Sequence, residues 1–104
     1  MGIVYLIEDI NNNCYKIGVT KGDPKKRLKK LQTGNPSELE LKYTYECEYP
    51  YRLETMLHTH YKLFNELNEW FSLEKPNEFL NKCVELDGVI NVLKENPFFA
   101  KGLK

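Results

Sequence analysis

The chain has no Cys-x-x-Cys pair. Cys14, Cys47 and Cys83 are odd in number and widely spaced, which argues against a disulfide framework and against a zinc site. A reducing intracellular compartment, the cytoplasm or nucleus of a host cell, is the expectation that follows. No stretch approaches the roughly 18 consecutive apolar residues of a membrane span. The N-terminus also lacks the basic-then-apolar layout of a secretory signal, so neither membrane insertion nor secretion is expected. Charge of one sign is not in excess either: 15 Lys and Arg residues balance 15 Asp and Glu residues, and bulk charge does not mark a polyanion binder. Repeats, linkers and low-complexity segments are missing. At 104 residues the chain is long enough for one domain with a modest core.

What is present is uneven. From Lys16 to Lys30 there are seven basic residues (Lys16, Lys21, Lys25, Lys26, Arg27, Lys29, Lys30) against one acid, Asp23. The acids gather from Glu38 to Glu54 and from Glu66 to Glu95. Such a dipole can present one cationic face to a polyanion while the whole stays neutral, although a solvated lysine-rich helix face accounts for it equally well.

Local patterns give the elements. Ile3 to Ile7 is a short β-branched run that reads as a strand buried on both faces. Asp9 to Asn13 reads as a polar turn, and Cys14 to Thr20 as the returning strand of a hairpin. Asp23 before Pro24 predicts a helix start, with Asp23 as N-cap, and Thr33-Gly34-Asn35-Pro36 predicts its end. Leu39, Leu41, Tyr43, Tyr45 and Cys47 alternate with polar residues, so a third strand with one buried face is expected. Pro50 opens a second helix expected to run to about Phe64, with Leu53, Leu57, His60 and Phe64 as its apolar stripe and His60 a core histidine. Glu69 to Leu73 is an optional extended edge segment. A third helix should begin at Pro76, with Phe79, Cys83, Leu86, Ile90 and Leu93 inward, a possible break at Asp87-Gly88 and an end at Asn96-Pro97. The last few residues should fray. The expected fold is α/β (α+β): a β-β-α-β-α domain on a three-stranded antiparallel sheet, residues 1–75, with residues 76–104 a C-terminal helical extension packed on it.

One local oddity points to function. Lys16 and Gly18 lie in a strand that reads as buried, where a lysine must be desolvated or snorkel. A glycine weakens such a strand unless another group comes close. A chain that tolerates both so near each other uses them.

Gly2-Ile3-Val4-Tyr5 followed by Tyr15-Lys16-Ile17-Gly18 resembles the signature of the GIY-YIG nuclease superfamily. The resemblance is closest to its phage- and virus-enriched branch, which includes a meiotically up-regulated fungal protein. Further landmarks are Arg27-Leu28, Gln32-Thr33-Gly34-Asn35-Pro36, Leu53-Glu54 with Leu57-His58, and Glu69-Trp70-Phe71. The likeness spans Gly2 to about Leu73. It implies that Tyr5 lines an active site, that Lys16 occupies the place of the second signature tyrosine, and that Arg27 contacts the scissile phosphate. It further implies that Glu54 is the lone carboxylate holding a divalent metal, Mg²⁺ or Mn²⁺. Val19 departs from the pattern, since relatives often carry a basic residue or histidine just after the glycine.

Phosphodiester hydrolysis needs an activated water, neutralised phosphate charge and a stabilised leaving oxygen. Tyr5, with Lys16 favouring its phenolate, would orient or deprotonate the water. Arg27, at the edge of the Pro24, Leu28 and Leu31 stripe, would grip phosphate oxygens with its planar fork. Glu54 would hold one metal ion. His58 lies one helical turn from Glu54 and reads either as a catalytic phosphate ligand or acid–base partner, or as a helix-surface partner of that glutamate. Tyr15 falls on the other strand face and reads as core. Glu69 is a weak candidate for a second acid near the metal. Lys21, Lys25, Lys26, Lys29 and Lys30 are the candidate nucleic-acid contacts. The hairpin offers a test of register: Tyr5 is expected opposite Lys16, with Glu8 opposite Asn13, which places both on the face of Gly18.

The leading expectation is therefore a metal-dependent DNA endonuclease of one-metal type, with RNA left open as a substrate. The alternative is a catalytically weak or inactive nucleic-acid-binding module of the same fold, and a third reading is an interaction domain using the C-terminal helix. A monomer or weak homodimer is expected, depending on whether the core covers the Phe79–Leu93 stripe.

Overall fold

The computed structural model describes residues 1–101. The first hairpin is β1 (Gly2–Asp9) and β2 (Cys14–Thr20), followed by α1 (Pro24–Gln32), β3 (Leu39–Cys47) and α2 (Pro50–His60). A 3-10 turn at Lys62–Phe64 leads into β4 (Asn65–Leu67) and β5 (Trp70–Phe71). A second 3-10 turn at Pro76–Glu78 opens α3 (Phe79–Leu93), and α4 (Pro97–Ala100) closes the described chain. Among these residues no helix is long and apolar enough to cross a membrane.

The sheet is wholly antiparallel with strand order β3-β1-β2-β5-β4. The fold is a small α+β domain, but its sheet has five strands where three are expected. The two additions lie on the free edge of β2. β5 falls within the optional extended segment expected over Glu69 to Leu73, whereas β4, exposed throughout, carries no periodic apolar signal and is not anticipated.

Two layers of side chains cover the two faces. Val4, Leu6, Tyr15 and Ile17 join Leu53 and Leu57 of α2 and Phe79, Cys83 and Ile90 of α3 in the main core. On the other face Tyr5, Ile7 and Leu39 pack under Leu28 and Leu31 of α1. Asp23 caps α1 as expected, its carboxylate accepting from the Lys25 amide at 2.9 Å. Tyr45 of β3 donates to Asp87 of α3 at 2.8 Å, which ties the last long helix to the sheet.

Several expectations are corrected. In β3 the alternating residues do not share one face. A bulge where Leu6 faces Tyr43 but Ile7 faces Leu41 flips the phase of the strand. Tyr43, Tyr45 and Cys47 therefore join the main core, while Leu39 and Leu41 join the α1 side. α2 stops at His60, four residues before Phe64, because the chain must turn back to lay β4 beside β5. His60 is exposed rather than core, packing edge-on to Tyr61 with ring centroids 4.6 Å apart. α3 runs unbroken through Gly88; buried Cys83 and Ile90 on either side outweigh the roughly 1 kcal/mol propensity deficit of one glycine. Beyond the end of α3 a further helical turn, Pro97–Ala100, is capped by Asn96, and the last residues expected to fray lie largely past it. The remaining terminal positions, 102–104, lie outside the described residues.

Candidate functional site

Hairpin register sets the site. Tyr5 pairs with Gly18, and Lys16 pairs with Ile7, two residues away from the expected pairing. The turn accordingly moves to residues 10–13, where Asn13 adopts a left-handed φ of 51°. A two-residue shift preserves facing, so Tyr5, Lys16 and Gly18 still share one face of the sheet. The proposed opposition of Tyr5 and Lys16 is nonetheless replaced: what lies across from Tyr5 is a glycine.

That glycine is required sterically. A Cβ built on Gly18 would fall 2.5 Å from Cζ of Tyr5, so the phenol occupies the space a side chain would need. Gly2 plays a similar part at the start of β1, where a Cβ would come within 2.7 Å of the Pro50 ring that opens α2. With its ring fixed, Tyr5 presents its hydroxyl to α1, and the Nε of Arg27 donates to it at 3.4 Å. The cation in contact with Tyr5 is thus Arg27 rather than Lys16. This hydrogen bond, followed by the charges of Tyr5 and Glu69, shifts the Arg27 guanidinium upward against the opposing effect of burial.

Lys16 is held elsewhere. Its side chain is only 11% exposed, and Nζ lies 2.7 Å from Oε2 of Glu69 and 5.8 Å from the centre of the Trp70 ring. Glu69 reaches it because β5 is so short. The strand pairs only Tyr15 with Phe71 and Lys16 with Trp70, after which the Ile17 amide donates to the Glu69 carbonyl at 3.1 Å.

The ladder then ends, and α2 covers the end. The Nε2 of His58 bonds the Ile17 carbonyl at 3.0 Å, and its ring packs edge-on against Phe71. Because a carbonyl only accepts, Nε2 carries the proton, which leaves Nδ1 as the lone-pair nitrogen of the neutral ring.

Glu54, one turn earlier on α2, completes a cluster. Glu54, His58 and Glu69 each offer a ligand atom, all within 4.8 Å of one another. Burial first, then the charge of Glu69 and a hydrogen bond with it, push the Glu54 carboxyl up to about 7, with Lys16 pulling the other way. Burial also acts to raise Glu69, but the hydrogen bond and charge of Lys16 outweigh it, and Glu69 ends below its ordinary value. Of the two carboxyls, Glu54 is therefore the one that keeps its proton longer as pH rises.

The donor set suits a divalent cation. Two carboxylates crowded enough to raise one pKa gain by sharing a positive ion, and an imidazole whose other nitrogen donates to a backbone carbonyl is oriented as metal-binding histidines are. Hard oxygen donors fit Mg²⁺, and the added nitrogen is better tolerated by Mn²⁺.

The basic residues are spread around this centre. Lys26, Arg27 and Lys30 line a hollow with Thr20, Gly22 and Asp23. Lys25 and Lys29 are exposed on α1. Lys21 lies 5.7 Å from the Tyr51 ring, drawn toward α2. Tyr15 is buried on the opposite face, as read, and donates to Glu8 at 3.3 Å. Val19 also points away, packing against the main core, so its position does not face Tyr5. Tyr5 and Arg27 thus meet directly, and Lys16 meets Glu54 and His58 through Glu69. Glu69 was only a weak candidate in the sequence, where its one signal is its place before Trp70-Phe71.

No curated protein and no solved structure matches the chain. Residues 2–91 match the T5orf172 domain, so the match continues beyond β5 through most of α3. The chain belongs to the T5orf172 domain family, a domain associated with the GIY-YIG and nuclease-like superfamily.

Proposed function

We propose that the chain is a metal-dependent endonuclease that hydrolyses phosphodiester bonds in DNA by a one-metal mechanism. The observation that carries this reading is the convergence of Glu54, His58 and Glu69 where the β2–β5 ladder ends, beside the strand whose Lys16 and Gly18 share a face with Tyr5, the partner of Arg27. Membership of a nuclease-associated family supports it.

In this reading Arg27 binds the scissile phosphate and neutralises its charge, while its contact with Tyr5 keeps both side chains aligned. As a phenol, Tyr5 orients the attacking water; only as a phenolate does it take that water's proton, returning to the phenol as the water attacks phosphorus. Lys16 brings a second positive charge to the same sheet face. Glu54, with His58 beside it, would hold the metal, which would supply Lewis acidity to the cleavage. Lys21, Lys25, Lys26, Lys29 and Lys30 follow the nucleic-acid backbone.

The test is nicking of supercoiled plasmid by purified protein with Mg²⁺ or Mn²⁺, beside Glu54→Ala and Arg27→Ala. Wild-type nicking lost in both variants is the expected result. Nicking that survives both substitutions is contamination and ends the enzyme reading. Salt-sensitive DNA binding with no cleavage in any metal would support the alternative, a binding module of the same fold.

A further inference from the structure

Among the described residues, the only anionic or hydrogen-bonding side chain recorded on Lys16 is Glu69. A lysine this buried is held in place by such a partner, since burying an ammonium with no partner is costly. The main chain brings the partner into register. Ile17, next to Lys16, donates to the backbone carbonyl of Glu69, so the carboxylate cannot slide along β2. The turn that presents it is braced as well. Asn68 adopts a left-handed φ of 54°, and the Asn65 amide donates to the carbonyls of Asn68 at 2.7 Å and Trp70 at 3.2 Å. The Trp70 ring adds a wall beside the ammonium. Glu69 is thus anchored more firmly than its partial exposure suggests. It also touches both halves of the site, with Lys16 on one side and Glu54 and His58 on the other.

We propose that Glu69 is the positioning residue for Lys16, fixing its ammonium on the Tyr5 face and linking it to the Glu54–His58 pair. The inference rests on the endonuclease reading. An ammonium has three donors, and Glu69 takes one, leaving the others for phosphate or water. Without Glu69, Lys16 leaves its place.

The test uses the full chain in Mn²⁺-supported plasmid nicking. Glu69→Ala should lower kcat about 10- to 100-fold, the range for groups that orient a site residue, with KM for plasmid changed by less than about twofold. Glu69→Gln, whose amide oxygen still accepts from Lys16, should recover part of the loss. The double variant Lys16→Ala/Glu69→Ala should be no slower than Lys16→Ala alone, because a residue that acts through Lys16 has nothing left to position. Losses that multiply in the double variant overturn the proposal. So does recovery of Glu69→Ala by raised Mn²⁺, which would make Glu69 chiefly a metal ligand. Side-chain NMR gives a readout independent of activity. A slowly exchanging Lys16 ammonium signal is expected in wild type and Glu54→Ala and should vanish in Glu69→Ala; its absence from wild type overturns the proposal. Should wild type nick no DNA while that signal behaves as expected, the endonuclease reading fails and the Glu69–Lys16 device stands.

Discussion

The phenol of Tyr5 lies across Gly18, occupying the volume a β-carbon would take and aiming its hydroxyl at Arg27. Gly18→Ala must therefore displace the ring, with a stability loss of about 1–3 kcal/mol expected for overpacking a filled site. Gly88→Ala is the matching control: nothing lies within 4 Å of a Cβ there, and replacing a helix-interior glycine should stabilise by about 0.5–1 kcal/mol. Urea unfolding measures both. Equal stability changes in the two variants would refute the steric account of Gly18.

Glu54 makes stability depend on pH in a definite direction. Its folded carboxyl sits at about 7 against an ordinary value of 4.5, chiefly through burial and then through Glu69. Between those values the folded chain keeps a proton that the unfolded chain has released. This contribution is complete below pH 4.5 and is lost as pH rises through 7. The depressed Glu69 acts in the opposite sense, but only in the acid range below its ordinary value. Metal-free wild type should melt at a lower temperature at pH 8 than at pH 5, and Glu54→Gln should show much less of this decline. Mn²⁺ at pH 8 should restore wild type and leave Glu54→Gln unmoved. Calorimetric scans at the two pH values decide the matter, and parallel behaviour of the two proteins would count against it.

The parts of the fold visible in the sequence were those set by neighbouring residues. The bounds of β2 follow from its apolar run, and the start of α1 follows from Asp23 before Pro24, whose cap the structure reproduces. The failures have a common cause in long-range pairing. Register in the first hairpin differs from the expected one by two residues, and facing is blind to such a shift, so the pattern pairs Tyr5 with Lys16 where the strand pairs it with Gly18. The β3 bulge is equally silent, because alternation looks the same before and after the phase flips. Glu69 meets Lys16 across 53 residues through a two-residue strand, and nothing local to Glu69 reports that meeting. Glu54 and His58 stand one helical turn apart, so helix periodicity is enough to place them together. The third member of their cluster needed the sheet.

The basic face of α1 yields a prediction that separates binding from chemistry. Lys25, Lys29 and Lys30 are exposed on a helix with no fully buried residue, so replacing them with glutamine should change stability by less than about 0.5 kcal/mol. If they meet phosphates, each lost contact should reduce the slope of log affinity against log salt by about 0.9 on duplex DNA. Fluorescence anisotropy of a labelled duplex between 50 and 200 mM salt, on the order used for such slopes, reads this directly. Arg27→Gln should reduce the slope by a similar single step yet abolish nicking, because its guanidinium also bonds Tyr5. An unchanged slope in the triple lysine variant would move the nucleic-acid path off α1. The hollow lined by Arg27, Lys26 and Lys30 would then have to be reached from the β2 side alone.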